Sequence, residues 1–206
     1  MKKISDKVIG RLSLYRRILR ETLILGTRKL FSYQLANSAG ISAAQVRQDL
    51  MILGYMGSPT QGYDVHGLLE CIEEFLDDPA GQSVALVGIG NLGRAILDYF
   101  SGRRPNLSID AAFDINPEKT NGVIHSCRCY HLDQLLQVIE EKGILTAIIT
   151  VPADQAQGVA DRLVRAGIRG ILNFAPVRVK VPPDVFVQDI DIAMVLEKVA
   201  YFSRPK

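Results

Sequence analysis

Three glycines in the run Val84-Ala-Leu-Val-Gly88-Ile89-Gly90-Asn91-Leu92-Gly93 constrain this chain more than any other feature. A short apolar stretch leads into the spacing G-x-G-x-x-G, and the residues after it read as a helix. Glycine at the first position permits a tight turn, and at the second it lets backbone approach a pyrophosphate. At the third it allows helix and strand to pack closely. The helix N-terminus then offers N–H groups and a favourable dipole to an anion. Twenty-one residues after Gly93, the run Ile109-Asp-Ala-Ala-Phe113 ends at Asp114, where a ribose-binding acid belongs. The spacing predicts a dinucleotide site formed by Gly88 through Gly93 and Asp114. The charge of Asp114 disfavours a 2′-phosphate and no arginine follows it directly, so NAD(H) is expected rather than NADP(H). A glycine turn in an unrelated α/β domain is the other reading of the same residues.

Some eighty residues precede this loop, and their charge sets them apart. Residues 1–60 hold ten Lys or Arg against three Asp or Glu, whereas residues 61–206 hold fourteen against nineteen. A basic block of net charge +7 on an acidic remainder points to a polyanion as the partner of the first part.

Within the block, Val8, Leu12, Tyr15, Leu19 and Leu23 recur at helical intervals, with Arg11, Arg16, Arg17 and Arg20 largely off the stripe. Gly26 can end this helix. Ser32 is expected to cap a short helix over Tyr33–Ala39 that stops at Gly40. Ser42 opens a second helix, Ala43–Leu50, and Gln45 completes an S-x-x-Q capping box. Ala36, Gly40 and Val46 have the spacing of a helix-turn-helix. The outer face of the second helix would carry Ala43, Ala44, Gln45, Arg47 and Gln48. Glutamine pairs bidentately with adenine and arginine with guanine or phosphate, while alanine permits close approach. The same segments also fit a helical hairpin that only packs; the charge favours DNA. Gly54–Tyr63 is dense in turn formers and suits a β-hairpin wing. A short helix is expected over Leu68–Leu76, and Asp77–Gln82 marks the domain boundary.

After Asp114 the pattern predicts a helix over Leu132–Lys142, a strand Thr146–Val151, a helix Asp154–Ala166 and a strand Gly170–Phe174. Strands alternating with helices imply a parallel sheet covered on both faces. The fold class is α/β: a winged helix-turn-helix domain (1–80), a Rossmann-like NAD(H)-binding domain (81–189) and a C-terminal helix (190–206). In Ile190–Phe202 the apolar residues surround nearly the whole cylinder. Such a helix should be buried between partners, most economically two copies of this chain, the other reading being a core helix of the same subunit.

Other function classes find little support. The short stretch after the sheet leaves no room for a substrate domain, and His66, His125 and His131 read more simply as structural or exposed than as an acid/base, so no enzyme is expected; a small NAD-binding oxidoreductase whose N-terminal domain only dimerises is the alternative. Cys127 and Cys129 with His125 and His131 would share one face of an alternating strand, yet no second ligand pair exists elsewhere and no metal is expected. Three cysteines without a C-x-x-C pair, no apolar signal segment and no long apolar run imply a reduced, cytoplasmic setting without a membrane span.

Several segments together resemble the redox-sensing transcriptional repressor Rex family over nearly the full length. They are Arg11-Leu with Tyr15, Gln45-Val-Arg-Gln-Asp-Leu50, Gly62-Tyr-Asp-Val65, Gly88–Gly93, Phe113-Asp114, Thr150-Val-Pro152 and Gly167–Pro176. The resemblance implies a homodimer with its C-terminal helix swapped into the partner. It implies binding to an inverted-repeat operator at low NADH/NAD+ ratio and release when NADH binds as an effector, not a reaction cofactor. Val151 and Pro152 would join the glycine loop and Asp114 around the cofactor, and Tyr99 would lie near the nicotinamide. Ser42, Arg11 and Tyr63 would join Ala43, Ala44, Gln45, Arg47 and Gln48 at the DNA. Asp191 would contact Tyr99 and, in the DNA-bound form, pair with Arg17 as a switch. This sequence departs from the family at Pro59 and Thr60 in the wing, where Arg and Gly are common, and at Gln48, where lysine is frequent. Both departures remove positive charge and leave the operator unspecified.

Overall fold

Helix α1, Asp6–Ile24, buries Val8, Leu12, Tyr15 and Leu19, the stripe that the helical spacing predicts. The computed structural model describes residues 4–102 and 106–204, so Lys2 and Lys3 of the basic block lie outside the described residues. The chain divides into two compact units, Met1–Pro79 and Ala80–Lys206.

In the first unit, β1 (Lys29–Leu30), α2 (Ser32–Ala39) and α3 (Ala43–Ile52) follow α1. The turn between α2 and α3 passes through Gly40 at φ +68°, which a side chain would strain. Ser32 is not the cap expected from the sequence. Phe31 occupies that position in extended backbone, and Gln34 accepts from its N–H at 2.7 Å. Only half of the expected box at Ser42 forms. Ser42 Oγ accepts from the Gln45 N–H at 3.2 Å, but the Gln45 side chain turns to Asp49 instead of reaching back. Reciprocal backbone hydrogen bonds of 2.9 and 2.8 Å between Ser58 and Gly62 close the wing turn. β2, Tyr63–Asp64, then pairs antiparallel with β1. Helix α4, Val65–Leu76, starts at Asp64, whose carboxylate accepts from the Gly67 N–H, and packs Val65, Leu68, Leu69 and Ile72 into the core shared with α1, α2 and α3.

The second unit is a sheet of seven strands. β3 (Gln82–Val87), β4 (Leu107–Asp114), β6 (Cys127–His131), β7 (Thr146–Ile149), β8 (Gly170–Asn173) and β9 (Phe186–Asp189) run parallel. β5 (Val123–Ile124) is an antiparallel edge. The order is β5-β6-β4-β3-β7-β8-β9. Its parallel part is the doubly wound dinucleotide arrangement, which reverses direction at β3 and β7. Helices α6 (Leu135–Lys142) and α7 (Ala153–Arg165) cover one face through Leu135, Val138, Ile139, Val159 and Leu163. On the other face α5 (Asn91–Phe100) packs through Leu97, and Leu107, Ile109, Leu172 and Phe174 stay partly buried there. The terminal α8, Ile192–Phe202, buries none of its residues.

β5 and β9 are absent from the sequence reading because each is short and neither alternates cleanly. His125 and Ser126 form the turn before β6 at φ +46° and +66°, so His125 does not share the face of Cys127 and Cys129. Those two thiols are buried, and desolvation raises both; Cys127 is pushed up to about 12.

Candidate nucleotide and DNA-binding sites

The carboxyl ends of β3, β4 and β7 converge on a cavity of about 350 Å³. Gly88, Gly90, Asp114, Thr150, Val151 and Pro152 line it, together with Lys119. The three glycines have separable tasks. Gly88 sits at φ +103°, and a Cβ there would lie 2.7 Å from the Thr150 carbonyl oxygen. A Cβ on Gly93 would run into the Gly88 carbonyl oxygen, so this glycine is what lets α5 close on the loop. A Cβ on Gly90 would meet nothing within 4 Å. Packing therefore does not require glycine at 90, whereas backbone approach by a ligand does. No side chain caps the N-terminus of α5, which suits an anion. Thr150 Oγ1 donates to the Gly88 carbonyl at 2.7 Å and ties the end of β7 to the loop.

Asp114 Oδ2 accepts from the Ile89 N–H at 2.7 Å, and Oδ1 accepts from the Asn116 N–H at 2.9 Å. These bonds orient the carboxylate at the end of β4. Lys119 Nζ lies 3.5 Å from Oδ2, a neighbour that a search for an arginine directly after the acid misses. Ile89 is buried and Asn91 and Leu92 are exposed; these three, with Gly93 and Tyr99, do not line the cavity. Tyr99 is exposed on α5, with an edge-to-face contact to Phe100 at 5.3 Å. The lining residues fit a nucleotide: turn, open backbone, helix terminus and acid meet in one place.

In the first unit, Ser42, Ala44, Arg47 and Gln48 are exposed on α3, while Ala43 and Gln45 are half-buried. Asp49, only 1% exposed, explains Gln45 and Arg11 together. Its Oδ2 accepts from Arg11 Nε at 2.6 Å and from the Tyr15 hydroxyl at 2.8 Å. Its Oδ1 accepts from Arg11 Nη2 at 2.7 Å and from Gln45 Nε2 at 3.0 Å. Burial pushes the Asp49 carboxyl up, but the hydrogen bonds from Arg11, Tyr15 and Gln45 outweigh it and hold it below the ordinary value. Desolvation first, and the bond to Asp49 second, raise the Tyr15 phenol. Three of the residues expected at the DNA, Arg11, Gln45 and Tyr63, are thus engaged inside the unit. Arg11 clamps α1 to α3, and Tyr63, 8% exposed, packs over Gly57 at the base of the wing. A buried acid one turn after Gln45 is the sequence signal for this clamp, since such a group needs partners.

Asp191 caps α8, accepting from the Met194 N–H at 3.0 Å, and Arg17 is exposed on α1.

Comparison with known proteins finds matches in both units. Residues 3–50 match the family described as putative DNA-binding protein N-terminus, and residues 81–177 match the CoA binding domain family. The redox-sensing transcriptional repressor Rex of Roseiflexus sp. is 41% identical over 202 residues, 98% of this chain and 92% of that protein. The structure of RSP, a Rex-family repressor, with β-NAD+ and operator DNA superimposes with TM-score 0.89 at 34% identity, covering 98% and 93% of the two chains. RSP with β-NADH gives 0.85 at 33% identity, covering 98% and 95%. With identity of this level over nearly its whole length, the chain belongs to the Rex family of redox-sensing transcriptional repressors.

Proposed function

We propose that this chain binds an inverted-repeat operator as a homodimer through its first unit and releases it when NADH occupies the second. Promoter occupancy in the cytoplasm then follows the NADH/NAD+ ratio. What carries this function is the glycine cradle at the switch point of the sheet, open at Gly90 and flanked by Asp114, in a chain whose other unit exposes a helix-turn-helix. A relative of the same architecture is known with NAD+ and operator DNA, and with NADH.

The cofactor acts as an effector. Gly88–Gly93 hold the pyrophosphate at the start of α5, Asp114 holds the adenosine ribose, and Val151 and Pro152 flank the nucleotide. Tyr99 and Asp191 meet the nicotinamide end, and Asp191 with Arg17 forms the switch. Oxidised nicotinamide carries a positive charge that reduced nicotinamide lacks, so a nearby carboxylate distinguishes them. Moving the equilibrium between DNA-competent and released states from 1:99 to 99:1 needs about 10⁴-fold difference in affinity. Ser42, Ala44, Arg47 and Gln48 face the operator directly. Arg11 and Gln45 act through Asp49 by fixing α3, with Ala43 and Tyr63 as its packing.

The homodimer is supported by α8. Ile192, Met194, Val195, Leu196, Val199 and Phe202 are each 58–75% exposed, and among the described residues α5 alone packs on one face of the sheet. An apolar helix covered on no side needs a second copy.

The test is operator binding by gel shift across NADH/NAD+ ratios at fixed salt. Binding that weakens as the ratio rises is expected. Binding indifferent to the ratio refutes redox sensing, and Asp191→Ala released by NADH as sharply as wild type refutes the switch.

A further inference from the structure

Folding neutralises part of the basic block. Arg11, Arg16 and Arg20, all on α1, pair with Asp49, Asp77 and Glu73. Lys7, Arg17, Arg28, Lys29 and Arg47 have no carboxylate partner among the described residues. Two of these five stand beside the wing. The turn closed by Ser58 and Gly62 carries Pro59, Thr60 and Gln61, none of them cationic. A groove of about 530 Å³ is lined by Arg47 of α3, by Ser58 and Pro59 of this turn, and by Ser32 and Tyr33. Arg47 Nη1 donates to Ser32 Oγ at 3.1 Å, so its guanidinium is held along this groove. Lys29, the first residue of β1, is exposed and donates through Nζ to Gln61 Oε1 at 2.8 Å.

We propose that Lys29, held at the wing turn by Gln61, supplies the wing's contact to an operator phosphate and stands in for a cation that the turn itself lacks. The proposal rests on operator binding by this unit. A duplex seated on α3 has its backbone beside the turn, because Arg47 and the turn line the same groove. Gln61 is neutral, so it positions the ammonium without cancelling its charge, unlike the carboxylates that hold Arg16 and Arg20. An ammonium has three donors, and the amide oxygen takes one. Holding the lysine in place also lowers the side-chain entropy lost when a phosphate binds.

The experiment uses the full chain and a labelled duplex carrying an inverted repeat that the wild-type protein selects from a random pool. Affinity is measured by fluorescence anisotropy from about 50 to about 200 mM salt, with NADH affinity and thermal melting as checks on folding. For Lys29→Gln, which removes one contact from each subunit of the dimer, the slope of log K against log salt falls in magnitude by about two. Over that salt range the wild type therefore loses about tenfold more affinity than the variant. The loss at low salt is the same for the selected and a scrambled duplex, and Lys29→Arg restores the slope. Gln61→Ala keeps the slope but weakens binding about two- to threefold, because the charge stays and the tether goes. A wild-type slope in Lys29→Gln overturns the phosphate contact, and unchanged affinity in Gln61→Ala overturns the tether. Failure of operator binding itself gives a different result: the wild-type chain selects no duplex, which removes the proposal along with it.

Discussion

In α1 the positions Val8, Leu12, Tyr15 and Leu19 disappear against α2, α3 and α4, whereas α8, with only Glu197 and Lys198 charged, buries no residue. The contrast extends to the polar groups. In the first unit Asp49 is sealed with both oxygens satisfied by its own chain; in the second Asp114 stands at an open cavity. The first unit seals its acid and the α1 stripe within its own core. The second leaves a helix and a cradle uncovered, and those are the parts a second subunit and an effector would complete. A platform for DNA gains from rigidity, while a sensor needs surfaces whose coverage changes with the ligand.

The largest effect is expected where the second unit is least complete. Leu196→Glu places a carboxylate in the proposed dimer contact, and a desolvated charge raises the dimer dissociation constant at least about 100-fold. Sedimentation should show monomers at micromolar concentration with NADH still bound. In α1 the corresponding change, Leu12→Ala, costs about 2–5 kcal/mol of folding stability and leaves the association state alone. A Leu196→Glu protein that remains dimeric would break the contrast, since α8 would then not be the interface.

Asp49→Ala leaves Arg11 without its partner and Tyr15 and Gln45 without an acceptor. The cost should be about 3 kcal/mol, confined to the first unit. Hydrogen exchange resolved along the chain checks this: protection falls across α1, α3 and α4 and stays in β3, β4 and β7. Loss in both units would mean that the clamp is not local.

Smaller, but sharper in direction, is the difference between two glycines of one loop. Gly93→Ala drives a methyl into the Gly88 carbonyl and lowers stability by about 1–3 kcal/mol. Gly90→Ala meets nothing and adopts ordinary backbone at φ −80°, so stability holds while NADH affinity falls about tenfold or more. Calorimetric titration against thermal melting separates the two. If Gly90→Ala bound NADH as tightly as wild type, Gly90 would not mark the path of the phosphates.

Much of this was legible in the sequence because period and spacing carry it. The α1 stripe, the glycine loop, Asp114 and the βαβ alternation are local patterns whose physical reasons act over a few residues. The all-round apolar tail was equally legible, because the residues of α8 are consecutive and only Glu197 and Lys198 interrupt them with charge. What was hidden depends on contacts far apart in the chain. Arg11 read as a surface cation until Asp49, thirty-eight positions later, claimed it. Gln45 read as a base reader for the same reason. Tyr63 lies in a turn-rich stretch that reads as exposed, yet the absence of a side chain on Gly57 lets its ring fold inward. Lys119 does not follow Asp114 directly, and only the short helical turn Pro117–Lys119 brings it back to the acid.

The smallest effects concern pH, and they too should differ between the units. Asp49 titrates below its ordinary value of 3.8 in the folded state, so its contribution is complete above that value and disappears as pH falls through the folded pKa. Tyr15 has the opposite sign. Its folded pKa is raised above 10.0, so its contribution is complete below pH 10.0 and declines as the pH rises further, because the unfolded phenol ionises first. In the second unit the raised thiol of Cys127 gives an alkaline limb alone, beginning near 9.0 and ending near about 12. Exchange protection measured from pH 3 to pH 11 should therefore loosen the first unit at both ends. Tyr15→Phe removes part of the alkaline slope, at most about 1.4 kcal/mol per pH unit. Cys127→Ala removes part of the second unit's slope and leaves the acid limb of the first untouched. If Asp49→Asn retained the acid limb, another carboxylate would be its source, and the sealed acid would serve geometry alone.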